Sequence, residues 1–123
     1  MATAKVFGYA RVSTAEQHLD RQIKALHDYG IADDCIFADK ISGMANSRPA
    51  LDDLLSRLRE GDTVVVSSFD RLARSTKQLL ELSEHFANEG VNLVSLKEQI
   101  DTSTPQGRLF FTISSAFAEF ERA

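Results

Sequence analysis

The residues most suggestive of chemistry are an arginine and a serine two positions apart, Arg11 and Ser13. They follow the apolar run 6–8 and precede a helical pattern, so Ser13 is predicted to lie where a strand ends and a helix begins. Such junctions present reacting groups in α/β folds. A hydroxyl nucleophile needs assistance, and a guanidinium can stabilise an oxyanion or bind a phosphate. Taken alone, the pair is more simply interpreted as a helix cap beside a solvated arginine.

Length and composition predict one ordinary globular domain. The 123 residues are 43% apolar and 26% charged, which is enough for a single core. No apolar run approaches the length that spans a membrane. The single cysteine, Cys35, excludes an internal disulfide and fits a reducing cytoplasm. The net charge of −4 argues against strong nucleic-acid binding by this chain alone, because phosphates require a positive surface.

The cations are nevertheless of a particular kind. Nine of the fourteen are arginine, and several stand beside serine, aspartate and turn residues instead of along helix faces. A guanidinium offers a planar fork that matches carboxylates and phosphates, which an ammonium lacks. Clustered arginine therefore suggests recognition of an oxyanion.

Hydrophobic periodicity predicts strands and helices in alternation. The predicted fold is an α/β domain with a mostly parallel central sheet of about four strands, helices on its faces and a C-terminal helix. The pattern places the first strand at 6–8 and the residues that directly follow this run, and further strands at 35–38, 63–67 and 91–96. It places helices at about 15–29, 49–60, 75–89 and 106–123.

In a parallel sheet, the loops that follow the strands gather along one edge. This brings Ser13 near Asp39, after the second strand, and residues 70–74, after the third. A hydroxyl among arginines suits attack on a phosphodiester better than attack on a peptide, because fixed cations can stabilise the charge on the equatorial oxygens. The cations available for this role are Arg11, Arg48, Arg71 and Arg74.

Other chemistries fit these residues less well. Two metals held by Asp39, Asp62 and Asp70 could also transfer phosphoryl groups, but they would leave four arginines unexplained. The sequence has no glycine-rich phosphate loop and no Cys/His set with zinc spacing. A Ser-His-Asp hydrolase needs a histidine at the same edge, and all three histidines fall on predicted helices.

Six short segments together resemble the serine recombinases of the resolvase/invertase type. Residues 8–14 (GYARVST) look like the nucleophile motif of that family. Its next three motifs are similar to 39–43 (DKISG), 47–51 (SRPAL) and 70–74 (DRLAR). The start and middle of its long dimer helix are similar to 104–108 (TPQGR) and 119–122 (EFER). The resemblance runs through essentially the whole chain in order, and the combination is far more specific than any one motif.

The resemblance implies a mechanism. Ser13 would attack the DNA backbone, forming a 5′-phosphoserine link and freeing a 3′-hydroxyl. The four arginines would bind the scissile phosphate, and Asp70 would orient them; as a general base, an arginine-bound carboxylate would be poor. No metal or other cofactor would be needed, because bond energy is kept in the phosphoserine. The supporting residues would be Tyr9, Gln17, Gln22, Asp39, Arg57 and Asp62.

The resemblance also implies partners. The family continues its long helix across the minor groove and adds a helix-turn-helix domain that reads the recombination site. We therefore expect residues 1–123 to be the catalytic domain alone, with a truncated dimerisation helix and the DNA-binding domain absent. The expected partners are DNA, mainly through the missing parts, a homodimer and a tetramer in the active synapse. Arg57 departs from the pattern, since many relatives carry lysine there.

The last helix carries an aromatic stripe. Four of the eight phenylalanines fall within the last fourteen residues. Apolar residues at spacings of three, four and three lie on one face of the helix, and Leu109 and Ala116 widen this face. Aromatic side chains exposed there would form an unusually large apolar patch. We predict contact between subunits through this face, more intermolecular toward its end, formed by Phe110, Ile113, Phe117 and Phe120.

Two functions from other classes remain open at this point. One is a metal-dependent nuclease or phosphatase that uses the aspartates. The other is a non-catalytic α/β module, such as a dimerising regulator whose arginines bind carboxylates of a partner. Fold alone favours none of the three.

Overall fold

The centre of the protein is a five-stranded sheet, seen in a computed structural model that describes residues 4–13, 19–41, 48–73 and 75–122. The strand order is β2-β1-β3-β4-β5; the first four strands are parallel, and the fifth pairs antiparallel with the fourth. The strands are β1 (Val6–Ser13), β2 (Ile36–Ile41), β3 (Thr63–Val66), β4 (Asn92–Ser95) and β5 (Ile100–Asp101).

Helices cover both faces of this sheet. On one face, Leu26 of the first helix packs with Ala10 and Val65. On the other face, the remaining long helices pack against Phe7 and Tyr9. None of the helices in the described part of the chain combines the length and apolarity that a bilayer crossing requires. The helices are α1 (Leu19–Tyr29), α2 (Pro49–Arg57), α3 (Phe69–Leu72), α4 (Thr76–Asn88) and α5 (Pro105–Arg122).

The strand order creates a crevice beside β1. The chain leaves β1 toward β2 on one side and leaves β3 toward β4 on the other, so the connections diverge at the carboxyl ends of β1 and β3. Parallel α/β sheets bind ligands at such a switch point. Pairing with β3 ends at Tyr9, whereas pairing with β2 continues to Ser13. The last four residues of β1 therefore extend beyond β3 into this crevice.

The alternating α/β pattern and the parallel sheet are confirmed, and the largest differences from the predicted bounds are at the ends of β2 and α2. The strand β2 reaches Ile41 instead of ending at Ala38, because the long β1 supplies partners for Asp39, Lys40 and Ile41. The helix α2 ends at Arg57, where extended backbone at Leu58 stops it, short of the predicted end near Glu60. For α1, the predicted residues before Leu19 lie outside the described ranges.

Two short elements are absent from the sequence-based prediction. The strand β5 has only two residues, too few for a period of two to register in the sequence. The helix α3 has four residues and lies in a segment whose composition is typical of a charged loop. Both are set by tertiary contacts instead of local periodicity.

The helix α5 docks through its first turns. The Gly107 N–H donates to Oγ1 of Thr104 at 2.9 Å, which caps the helix. A Cβ at Gly107 would lie 2.0 Å from the carbonyl oxygen of Asp101, so only glycine fits this approach to β5. About one turn on, Phe111 is 6% exposed and meets Phe69 edge to face, with ring centroids 5.3 Å apart. These contacts fix the start of α5 against its own domain.

The predicted stripe on α5 is only partly described. Ile113 is 58% exposed and Leu109 is 62% exposed, so both lie off the core of the domain. The side chains of Phe110, Phe117 and Phe120 lie outside the described part. Among the described side chains of α5, Phe111 is the phenylalanine that packs on the domain, and the predicted stripe omits it. An interface between subunits along this face stays a prediction.

We predict that Phe111→Ala lowers the free energy of unfolding by about 3 kcal/mol, the usual cost of emptying a buried phenylalanine site. The matched control Ile113→Ala removes an exposed side chain and should change it by less than about 0.5 kcal/mol. Urea unfolding at protein concentrations that keep the chain monomeric measures both. Equal losses for the two variants would contradict this docking of α5.

Candidate active site

Arg11 is fixed by the backbone of α3. Its Nε donates to the carbonyl of Arg71 at 3.1 Å, and its Nη2 donates to the carbonyl of Asp70. In return, Nη1 of Arg71 lies 3.5 Å from the carbonyl of Arg11. The two segments meet because β1 pairs with β3 and α3 follows β3 directly. Two arginines are thus interlocked through each other's backbone at the switch point.

Gln22 completes the pairing of β1 where β3 stops. Its amide Oε1 accepts from the N–H of Arg11 at 3.1 Å, and its Nε2 donates to the carbonyl of the same residue at 3.0 Å. Gln22 is 6% exposed, so it serves these backbone groups where water has little access. The amide therefore acts as a strand partner and holds α1 against the end of β1.

Asp39 joins two strands and a helix through a buried carboxylate. Its Oδ2 accepts from the Tyr9 hydroxyl at 2.8 Å and from the N–H of Leu51 at 3.0 Å, and its Oδ1 accepts from the N–H of Ala50 at 2.9 Å. The first N–H groups of a helix have no partner within it. The residue at the N-cap of α2, Arg48, supplies no side-chain hydrogen bond. Asp39 therefore caps α2 from a neighbouring strand.

The Tyr9 hydroxyl is held in its neutral form. Burial raises the pKa of Tyr9 above its ordinary value of 10.0, and the hydrogen bond to Asp39 raises the pKa further. The side chain is fully buried. A neutral hydroxyl can donate to a carboxylate throughout the ordinary pH range, so this contact is a constant feature of the fold.

Arg48 is a buried cation above Tyr9. It is 7% exposed, and its Cζ lies 5.9 Å from the centre of the Tyr9 ring. Within the described ranges, its buried Nη1 has no hydrogen-bond partner. An unpaired buried donor is costly, and more so on a charged group. The site therefore contains a guanidinium N–H that an anion could satisfy.

The predicted nucleophile lies next to these groups in the chain. Ser13 is the last residue of β1, pairs with Ile41 and follows Arg11 by two positions. The prediction that Ser13 ends a strand is confirmed. The side chain of Ser13, and the whole of Gln17 and Arg74, lie outside the described residues. Their contributions to the site stay predictions.

The carboxylate of Asp70 has a partner of its own. Its Oδ1 accepts a hydrogen bond from Oγ of Ser68, and the residue is exposed. Its contact with Arg11 runs through the backbone carbonyl. The resemblance implies that Asp70 orients the arginines. In the described contact between Asp70 and Arg11, the acceptor is the backbone carbonyl of Asp70.

Two predicted supporting residues lie elsewhere. Asp62 directly precedes β3, at the amino-terminal ends of the parallel strands and opposite the switch point. There its carboxylate accepts hydrogen bonds from the backbone N–H groups of Lys5 and Arg59 at 2.9 Å each. Arg57 is the last residue of α2 and pairs with Asp53 at 3.0 Å on the surface. The structure does not bring either residue to the switch point.

This placement bears on the alternative chemistries. Asp62 lies at the far edge from Asp39, so these two aspartates do not share a site. No group of three metal-ligating side chains occurs within residues 4–13, 19–41, 48–73 and 75–122. His27 lies on α1 and His85 on α4, as predicted, whereas His18 is outside the described residues.

Sequence reasoning missed one residue that contacts α3. Glu98, in the turn between β4 and β5, accepts a hydrogen bond from the N–H of Phe69 at 3.1 Å and another from Oγ of Ser95. No motif or periodicity marks it, since an exposed glutamate in a turn is usually a solvated charge. Only the pairing of β3 with β4 brings it to α3.

The free energy of unfolding should fall as pH rises above about 10, because the unfolded tyrosine then loses its proton while Tyr9 in the fold keeps it. The variant Tyr9→Phe should reduce this slope. The control Tyr29→Phe alters a half-exposed ring, leaves the Tyr9–Asp39 bond intact and should keep the slope. Chemical unfolding at a series of alkaline pH values measures this, and identical slopes for wild type and Tyr9→Phe would contradict it.

Comparison with known proteins identifies relatives of this arrangement. The family model for the resolvase N-terminal domain matches residues 6–123. The chain is 50% identical over 117 residues to the transposon Tn917 resolvase of Enterococcus faecalis, covering 95% of this chain and 62% of that protein. It is 47% identical over 117 residues to the serine recombinase gin of Escherichia phage Mu, covering 95% of this chain and 60% of that one. The chain thus spans about three fifths of the length of these relatives.

A solved structure shares the fold. The N-terminal catalytic domain of TP901-1 integrase superposes with a TM-score of 0.74 at 36% identity, covering 96% of each chain. The correspondence extends over nearly the whole domain.

Proposed function

This chain belongs to the family of resolvase N-terminal domains, and from that premise we propose that it is the catalytic domain of a site-specific serine recombinase, which cuts and rejoins DNA. The observation that carries the proposal is the interlocked pair Arg11 and Arg71 at the switch point. Arg11 lies two residues before Ser13 in the chain. A hydroxyl at a strand end beside fixed guanidinium groups suits phosphoryl transfer. Oxyanion stabilisation of this kind needs donors fixed before the reaction begins.

In the proposed reaction, Oγ of Ser13 attacks the phosphorus of a DNA phosphodiester. The serine hydroxyl loses its proton, the bond from phosphorus to the 3′-oxygen breaks, and the leaving oxygen takes up a proton, so that the net step moves one proton from serine to the 3′-hydroxyl. The 5′-phosphate stays on the serine. Attack by a 3′-hydroxyl from another cut strand reverses the step and frees Ser13. Each step exchanges one phosphate ester for another, so little bond energy is lost.

The arginines would act on the charge that develops at phosphorus. Arg11 is held by two carbonyls of α3, which fixes its guanidinium before DNA arrives. The buried Nη1 of Arg48 would gain an anionic partner in the complex. Asp39 would act indirectly, because it holds Tyr9 beneath Arg48 and caps the helix that Arg48 precedes. We propose the same phosphate-binding role for Arg74.

Larger assemblies and the DNA site belong to the same proposal. The exposed Leu109 and Ile113 lie on the helix α5, which we propose pairs with the same helix of a second copy. Pairs of dimers would form the tetramer that exchanges strands. Recognition of the recombination site would come mainly from a DNA-binding domain outside these residues. A cytoplasmic location suits the single cysteine.

In the full-length protein, Ser13→Ala should abolish DNA cleavage and leave binding to the recombination site unchanged, because it removes only the nucleophile. The matched control is Ser56→Ala, which removes an exposed serine hydroxyl on α2. Single-turnover cleavage and gel-shift titration measure the two quantities. Cleavage that survives in Ser13→Ala would end the recombinase proposal.

Alanine at Arg11, Arg71 or Arg74 should each reduce cleavage at least ~10²-fold, the scale for loss of one preorganised oxyanion donor. Arg11→Lys should restore little, because one ammonium cannot reproduce the planar fork that reaches both α3 carbonyls. Arg21→Ala, on the exposed side of α1, serves as control. Near-normal rates in all three alanine variants would make these arginines ordinary surface charges.

Cleavage should not depend on a divalent cation, because arginines fill the role that a metal would play. We expect equal single-turnover rates in excess chelator and in magnesium, measured with the full-length protein under activating conditions. An absolute magnesium requirement of the chemical step would instead favour the metal-dependent nuclease.

A further inference from the structure

Glu98 ties the turn between β4 and β5 to the helix that holds Arg11. Its Oε1 accepts from the N–H of Phe69, the first residue of α3, at 3.1 Å, and also from the hydroxyl of Ser95. Ser95 is fully buried, so its hydroxyl depends on this partner. The glutamate therefore has two protein contacts at a position where the sequence suggests a solvated charge.

The turn that carries Glu98 is itself well fixed. The N–H of Leu96 donates to the carbonyl of Val66 at 3.0 Å, and the N–H of Lys97 donates to that of Ser67 at 2.9 Å. Gln99 has a φ of 58°, a left-handed conformation that a non-glycine residue adopts only when its surroundings impose it. Glu98 is thus presented from a turn anchored to the end of β3.

The helix α3 needs such support. It has four residues, far fewer than a helix needs to be stable alone. The side chain of its N-cap residue, Ser68, makes no capping bond, and its hydroxyl donates to Asp70. Glu98 supplies a protein acceptor for the first N–H of α3, which has no partner within the helix. The ring of Phe69 also packs edge to face against Phe111.

The same four residues hold the arginine pair. The carbonyl of Asp70 accepts a hydrogen bond from Nη2 of Arg11, and the carbonyl of Arg71 accepts one from its Nε. A shift of α3 would therefore displace the guanidinium of Arg11 and the start of the Arg71 side chain together. A misplacement of about 1 Å is enough to cost a reaction of this kind ~10²-fold.

Building on the proposed function, we infer that Glu98 is a positioning residue for DNA cleavage, which sets the place of Arg11 and Arg71 by holding α3. Glu98 acts as a hydrogen-bond acceptor in this role, so its charge is not required. Glutamine at this position keeps an acceptor oxygen, whereas alanine removes it. The two variants therefore separate positioning from proton transfer and from surface charge.

The first measurement follows the Arg11 Nε–H signal by ¹⁵N NMR in the 123-residue chain. Glu98→Ala should shift this signal and speed its exchange with solvent, while Glu98→Gln and the control Glu89→Ala leave it unchanged. Glu89 is an exposed glutamate at the end of α4, away from α3. An unaltered Arg11 signal in a folded Glu98→Ala variant would overturn the inference.

The second measurement follows covalent adduct formation by the full-length protein at saturating DNA. Glu98→Ala should lower the rate at least ~10-fold at unchanged DNA affinity. Glu98→Gln should restore it with the pH profile of wild type. Equal rates for Glu98→Ala and Glu89→Ala would overturn the inference while leaving the proposed function intact. If wild type itself forms no adduct, the proposed function fails, and the NMR experiment alone decides whether Glu98 positions Arg11.

Discussion

The arrangement of this domain depends most on one buried carboxylate. Asp39 accepts hydrogen bonds from the Tyr9 hydroxyl and from two backbone N–H groups that open α2. Burying a carboxylate is costly unless it is fully hydrogen-bonded, and these three donors meet that need. The bonds join β1, β2 and α2, and they place Arg48 over the Tyr9 ring. Loss of this carboxylate would release both the helix and the arginine.

A second constraint comes from the order of the strands. Because β1 lies between β2 and β3 and extends beyond β3, its last residues lack a strand partner on the side that faces β3. Gln22 fills that gap for the backbone of Arg11, and α3 fills it for the side chain. Carbonyls of α3 thus help to fix the guanidinium of Arg11 before any ligand arrives. Donors fixed in advance are what the stabilisation of a developing oxyanion requires.

The sequence is sufficient to predict the features that depend on periodicity and parallel pairing. The α/β alternation, Ser13 at the end of β1 and the meeting of Arg11 with Asp70 and Arg71 result from loops gathering at one edge. Contacts between distant segments leave no such pattern in the sequence. The capping of α2 by Asp39, the two-residue β5 and the contacts of Glu98 each depend on tertiary neighbours. The packing of Phe111 on α5 against Phe69 depends on tertiary neighbours in the same way.

The most direct test of this mechanism is to identify the residue that becomes joined to DNA. The full-length protein would be trapped on a nicked recombination site, where loss of a short strand prevents religation, and the digested adduct would be analysed by mass spectrometry. We predict a 5′-phosphate on the peptide that contains Ser13, together with a free 3′-hydroxyl on the other DNA end. Attachment to any other residue, or cleaved DNA with a free 5′-phosphate and no adduct, would contradict the mechanism.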